Sequence, residues 1–179
     1  MSEMYHFQLM SKYNIRMNKQ VYEAALNLDD ELLKKDLGSF FHSINGTLNH
    51  ILVGDLLWFS RFTAHSKKYE SLVKIASVAQ PKSLNEILFE KVSDLYKIRK
   101  EVDSLIDLWV NTELEEVDLG KALMYKNSKG AQNHKPFGEL LSHVFNHQTH
   151  HRGQVSTLLS QNGVDVGITD FLIDIPNVA

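Results

Sequence analysis

Cysteine is absent from this 179-residue chain, which removes disulfides, thiolate metal ligands and a cysteine nucleophile together. Proline is scarce, at three residues, and nine glycines leave room for long helices. No stretch approaches the ~18 apolar residues of a membrane span, and the opening Met1-Ser-Glu-Met-Tyr-His6 has neither the basic nor the apolar block of a secretory signal. A cytoplasmic protein without a membrane partner is the expectation. The formal net charge of −3 comes with no block of Lys or Arg, so no nucleic-acid partner is expected either. Hydrophobic content of 43% is ordinary, and the length suits a single domain over residues 1–179 with its own core.

Apolar residues recur at helical spacing in four stretches. The first runs from Tyr5 to about Leu28 through Met10, Tyr13, Met17, Val21 and Ala25, with Asn14 intruding. Asp29-Asp30-Glu31 reads as a short helical turn. Ser39 is placed to cap a second helix reaching about Thr63, its stripe made of Phe40, Ile44, Leu48, Ile51, Leu52, Leu56, Phe59 and Phe62. Gly46 and Gly54 inside it point to close backbone approach. Residues 65–82 read as a polar connection. Ser83-Leu-Asn-Glu86 has the form of a capping box ahead of a third helix that carries Ile87, Leu88, Val92, Leu95, Ile98, Val102, Leu105, Ile106 and Trp109. Helical period is lost between Asn111 and Lys135. There, Ala122-Leu-Met-Tyr125 and Asn127-Ser-Lys-Gly130 suggest a short hairpin or extended excursion. Pro136 suits the first residue of a fourth helix that ends near Gln161, before Asn162-Gly163. The tail from Val164 to Ala179 is expected to be extended and packed back through Phe171, Leu172, Ile173 and Ile175. The fold class is all-α: a four-helix bundle with an excursion before its last helix.

Nine histidines are present, and five fall between His134 and His151. The run Ser142-His-Val-Phe-Asn-His-Gln-Thr-His-His-Arg-Gly-Gln154 sets His143, His147 and His151 four residues apart, with His150 three beyond His147. Such steps rotate by about 40° and about −60° on a helix, so the four rings share one stripe. Two imidazoles one turn apart offer two nitrogens to one metal ion. The pairs His143/His147, His147/His150 and His147/His151 are all sterically allowed, and only His147 is common to them. Gln148 stands where a zinc peptidase has its general-base Glu, so the pattern reads as a metal site of another kind. His50, midway along helix two, is the candidate third ligand. The competing reading is of hydrogen-bonded core histidines. His6, His42 and His65 read as surface, and Trp58, Trp109 and Tyr13 as core.

The segment Asn146-His147-Gln-Thr-His-His151-Arg152-Gly153-Gln154, with Thr47-Leu-Asn-His50 and Asp55-Leu-Leu-Trp58-Phe-Ser-Arg61, resembles the DinB/YfiT-like superfamily of metal-binding four-helix bundles. This DinB is the damage-inducible family, unrelated to the DNA polymerase of the same label. Tyr13-Asn14 with Met17-Asn18, Arg99 with Asp103, and Gly163 with Thr169-Asp170 extend the likeness over nearly the whole chain. The resemblance implies a three-histidine site of His50, His147 and His151, with His143 and His150 as neighbours. It implies a divalent metal ion, zinc or nickel ahead of iron. Asp55 stands about 140° round the helix from His50, so a buried hydrogen bond to Asn14 or an ion pair suits it better than ligation. Arg152 is expected to pair with an acidic residue, and Gly153 to allow close helix packing.

The superfamily includes enzymes in which a metal activates the thiolate of a low-molecular-weight thiol. A metal-dependent thiol S-transferase acting on a small molecule is therefore the leading expectation. A metal-binding or stress-response protein without catalysis, with a homodimer as its candidate assembly, comes second, and a metal-dependent hydrolase using His143 or His150 as acid or base third.

Overall fold

The computed structural model describes residues 2–127 and 129–178. Seven helices and one two-stranded sheet occur among them. Helix α1 (Glu3–Ala25) starts where the Ser2 hydroxyl accepts from the Tyr5 N–H at 3.2 Å. The Asp29 carboxylate caps α2 (Asp30–Lys34) in the same way. Then follow α3 (Ile44–Phe62), α4 (Glu70–Val78), α5 (Val92–Thr112) and the single turn α6 (Glu116–Leu119). Strands β1 (Ala122–Lys126) and β2 (Gln132–Pro136) pair antiparallel, with Ala122 opposite Pro136. Helix α7 (Phe137–Gln161) follows directly, and a 3-10 turn (Phe171–Asp174) lies in the tail.

The four long helices form the frame. Helix α1 lies against α5 and α7, α3 against α7, and α4 bridges α3 and α5. Their shared interior holds Leu48, Leu52, Phe59, Phe62, Trp109 and Phe137, all essentially without exposure. Each such side chain contributes about 1.5–3 kcal/mol by leaving water. None of the helices described is long and apolar enough to cross a membrane.

The mostly helical class and the hairpin ahead of the last helix are borne out. The hairpin's Asn127-Ser-Lys-Gly130 turn includes Ser128, which lies outside the described residues, as do Met1 and Ala179 at the ends. The tail does return to α1. Phe171 meets the Tyr13 ring edge-on at 5.2 Å, and the Arg16 guanidinium bonds Asp174 and the carbonyls of Ile168 and Asp170. Leu172, Ile173 and Ile175 nevertheless stay exposed.

Four boundaries differ from expectation. Ser43, rather than Ser39, caps α3, its hydroxyl accepting from the Gly46 N–H at 2.9 Å. Ser39 instead pairs with His42, whose φ of 65° makes the turn between them, and Phe40 is left 81% exposed. Residues 65–82 contain α4, which buries Leu72 and Ile75 below a buried Tyr69. Ser83–Glu86 caps nothing. The chain stays irregular to Lys91 because the Asn49 side-chain oxygen takes the N–H groups of Leu88 and Phe89 at 2.9 and 3.0 Å. Pro136 closes β2 and occupies the N-cap position of α7, one place before the expected one.

Candidate metal centre

His50 lies in the α3 face that packs against α7, and His147 and His151 lie one turn apart on the α7 face that meets it. The three rings converge through their Nε2 atoms. His50 Nε2 stands 3.0 Å from His147 Nε2 and 3.2 Å from His151 Nε2. Gly54, one turn beyond His50, makes this approach feasible. A Cβ there would stand 2.7 Å from His147 Cε1, closer than real Cβ contacts come. The glycine's helix penalty, about 1 kcal/mol, is set against room for that ring.

The outer nitrogens settle which way two of the rings face. His50 Nδ1 lies 2.7 Å from the Leu84 carbonyl oxygen, an acceptor only, so Nδ1 carries the proton and donates. His151 Nδ1 lies 2.8 Å from Gln154 Oε1 and donates likewise. In the neutral rings both Nε2 atoms are then bare lone pairs directed toward each other and toward His147. Phe41 stacks on the His50 ring at 3.7 Å and meets His151 edge-on at 5.5 Å, closing one side. Burial lowers the pKa of His50, with the Leu84 carbonyl pulling the other way. It lowers His151 against the pull of Gln154. Burial, reinforced by the neighbouring His151 and His50, takes His147 down to about 3. All three are therefore neutral near pH 7, the state in which imidazole ligates a metal.

The bare nitrogens of His50 and His151 repel one another, and a cation among the three rings reverses the sign of that interaction. Two nitrogens about 2.05 Å from one tetrahedral ion lie about 3.3 Å apart, within a few tenths of an ångström of the two separations seen here. His50, His147 and His151 form a three-member group, every ligand atom within 4.8 Å of the others. His143 and His150 are not in it. His143 rests edge-on against Trp58 at 5.1 Å, and His150 is exposed, near the Gln154 amide at 3.4 Å. The pairing of His147 with His151, left open by spacing, follows from where α3 presents His50.

One residue further round α7, a second polar cluster begins. The Gln148 amide turns away from the histidines and donates to both Asp55 oxygens at 2.7 Å. A Glu at that position would therefore not face the site. Asp55 is ion-paired with Arg99, as one of its two expected roles, and not bonded to Asn14. Arg99 also reaches Asp103 at 2.8 Å, and Asp103 accepts from Asn14 at 3.1 Å and Asn18 at 3.0 Å. Burial raises the Asp103 carboxyl to about 6, against the pull of Arg99 and Asn18. Arg152 donates to the side-chain oxygens of Asn14 and Asn18 and to the Thr149 hydroxyl, so its hydrogen-bond partners are neutral groups rather than the expected acid. Gly153 is exposed with open space about it and mediates no close packing. Trp109 is core as expected, whereas Trp58 is half-buried and lines a cavity. Sequence reading missed Phe41 and Leu84, which act on His50 by ring face and backbone carbonyl and carry no motif.

Mostly helical architecture with three imidazoles gathered between two long helices defines the class: helical proteins with an interhelical histidine centre. The comparisons specify it further. The DinB family profile matches residues 1–177, and the chain belongs to that family. It is 27% identical over 160 residues to Protein DinB of Bacillus subtilis (strain 168), covering 89% of this chain and 88% of that one. A solved structure of a DinB-like protein from Bacillus cereus ATCC 10987 superposes with a TM-score of 0.58 at 18% identity, over 85% of this chain and 89% of the other.

Proposed function

We propose that His50, His147 and His151 hold a divalent metal ion, zinc or nickel ahead of iron, and that the protein is a metal-dependent transferase using a low-molecular-weight thiol. The observation that carries the metal reading is the convergence of three Nε2 atoms whose outer nitrogens, on His50 and His151, are committed to Leu84 and Gln154. Such outer partners fix ring orientation and raise ligand basicity. Three imidazoles leave a fourth position for an exogenous group, the open type of site. His143 and His150 lie outside the group of three, which supports an open position over a saturated, purely structural one. When bound, a divalent ion there supplies a Lewis acid that brings the pKa of a coordinated thiol toward neutrality.

The protein's own part is to orient and to exclude. His50 and His151 present fixed Nε2 atoms, Phe41 shields one flank from water, and Gly54 leaves His147 room to close the third side. A thiol that ionises on binding needs no carboxylate base. A hydrolytic reading would instead call on His143 or His150, which face Trp58 and solvent.

The test is elemental analysis of protein purified without chelator or affinity tag, beside single alanine variants. About one equivalent of metal is expected in the parent and none in His50→Ala, His147→Ala or His151→Ala. His143→Ala and His150→Ala should weaken binding by at most about 10- to 100-fold. Turnover of electrophiles that persists when small thiols are withheld would sink the transferase reading and favour hydrolysis.

A further inference from the structure

Arg61, in the last turn of α3, is a cation whose hydrogen-bonding edge is unspent. Its guanidinium lies over two rings, with Cζ 4.8 Å from the Trp58 centroid and 5.6 Å from that of Tyr125. The two rings meet edge to face at 5.3 Å. Stacking occupies the faces of the guanidinium and leaves its five N–H donors free. Among the described residues no carboxylate pairs with it and no acceptor takes those protons. Burial pulls its pKa down, opposed only by Tyr125. A half-buried cation without a counter-ion is unfavourable until an anion joins it. The carbonyls ending α3 favour a positive charge there but do not replace a partner along the N–H edge.

The space beside it has the size of a ligand site. A cavity of about 360 Å³ is lined by Leu57, Trp58, Arg61, Lys82, Leu84 and Tyr125 among others, with two cations and no carboxylate in its wall. Glu86 accepts from the Lys82 backbone N–H, and Glu139 lines the neighbouring hollow that shares Trp58 and Tyr125. Leu57, Leu84 and Pro81 give the wall an apolar side, and Ser83 and Asn127 complete it.

We propose that this cavity binds a small carboxylate with an apolar body. The carboxylate takes the two-pronged edge of Arg61, assisted by Lys82, and the body lies against Leu57, Leu84 and Trp58. Guanidinium and carboxylate match in bidentate geometry, and the stacked rings already hold the fork in place. The site shares Leu84 with the surroundings of the histidine cluster, through the carbonyl that His50 bonds, but none of the three histidines lines it, and it stands whether or not a metal binds there.

The experiment is a titration of the full chain with benzoate, and with benzamide as the neutral analogue of the same shape, read by tryptophan fluorescence and by calorimetry. Trp109 is fully buried, so the optical change reports Trp58. Benzoate should bind saturably with Kd on the order of 1 mM, and benzamide at least about 10-fold more weakly. Arg61→Gln should lose about 10-fold or more of the benzoate affinity. Arg61→Lys, which keeps the charge without the fork, should fall between and serves if the Gln variant does not fold. Thermal unfolding of each variant separates lost binding from lost structure. Equal affinity for benzoate and benzamide, parent-like affinity in a folded Arg61→Gln protein, or no saturable benzoate binding up to roughly 100 mM would each overturn the assignment.

Discussion

Two polar clusters sit side by side in the helical interior, and they are compensated in opposite ways. The Asp55–Arg99–Asp103–Arg152 cluster holds two acids and two arginines, with Asn14, Asn18 and Gln148 filling the gaps between them. Its charges balance within the protein. The histidine cluster gathers three neutral bases of one kind with their Nε2 atoms toward each other. A buried polar group is tolerated when it finds partners; the first cluster neutralises its charges inside, though Arg99 Nε, Arg152 Nε and Gln148 Oε1 are left without a hydrogen bond, and the second points bare nitrogens at a common space. Burial alone therefore says little about role. The mixture of charges says which cluster neutralises itself and which is made to be completed.

The largest expected effect comes from unbalancing the charged cluster. Arg99→Met leaves Asp55 and Asp103 buried without their shared cation and should cost about 3–5 kcal/mol, read by urea unfolding. A loss below about 1 kcal/mol would show that the cluster is not the self-sufficient unit described.

Acid separates the two clusters next. In the fold His147 stands near 3, below its ordinary 6.5, so on acidification the unfolded chain takes up that proton first. Stability present above about pH 6.5 is thus lost progressively toward pH 3, at up to about 1.4 kcal/mol per pH unit in the metal-free protein. His147→Ala should flatten that slope. An unaltered slope in the variant would assign the acid sensitivity to the carboxylates instead.

The smallest effect on stability should come from Gly54→Ala, which crowds His147 without touching the charged cluster. Helix propensity gained and crowding introduced should leave stability within about 1 kcal/mol of the parent. Metal affinity, measured by competition with a chromophoric chelator, should fall by about 10-fold. Unchanged affinity would mean that the ring has slack.

Sequence periodicity located the long helices because each buries a continuous stripe, as Leu48, Ile51, Leu52, Leu56 and Phe59 do in α3. It misplaced their ends where distant side chains decide. Ile87 and Leu88 continue the apolar pattern of α5, yet Asn49, some forty residues earlier, takes backbone protons there and holds the segment irregular. Ser39 and Ser43 are equivalent as caps until the left-handed turn at His42 chooses between them. Helix α4 was missed although Tyr69, Leu72 and Ile75 carry a helical period, because nine residues give a weak signal among charged neighbours. In the site, spacing supplied the histidines of α7, and the family likeness narrowed them to the pair facing His50. The amide partners of Arg152 and the ion-pair partner of Asp55 lie on other helices, and nothing local to either residue names them.

The two clusters divide α7 between them by a single residue: His147 and His151 serve one, Gln148 and Arg152 the other. Chain length between them is therefore more tightly constrained than residue identity. Deleting Thr149 would turn everything after it by about 100° and carry Arg152 into the place of His151. Both interiors would fail at once, whereas substituting Thr149 would leave both in register. Among relatives of this fold, variation along this stretch should take the form of exchanged side chains, and insertions or deletions should collect beyond the helix ends.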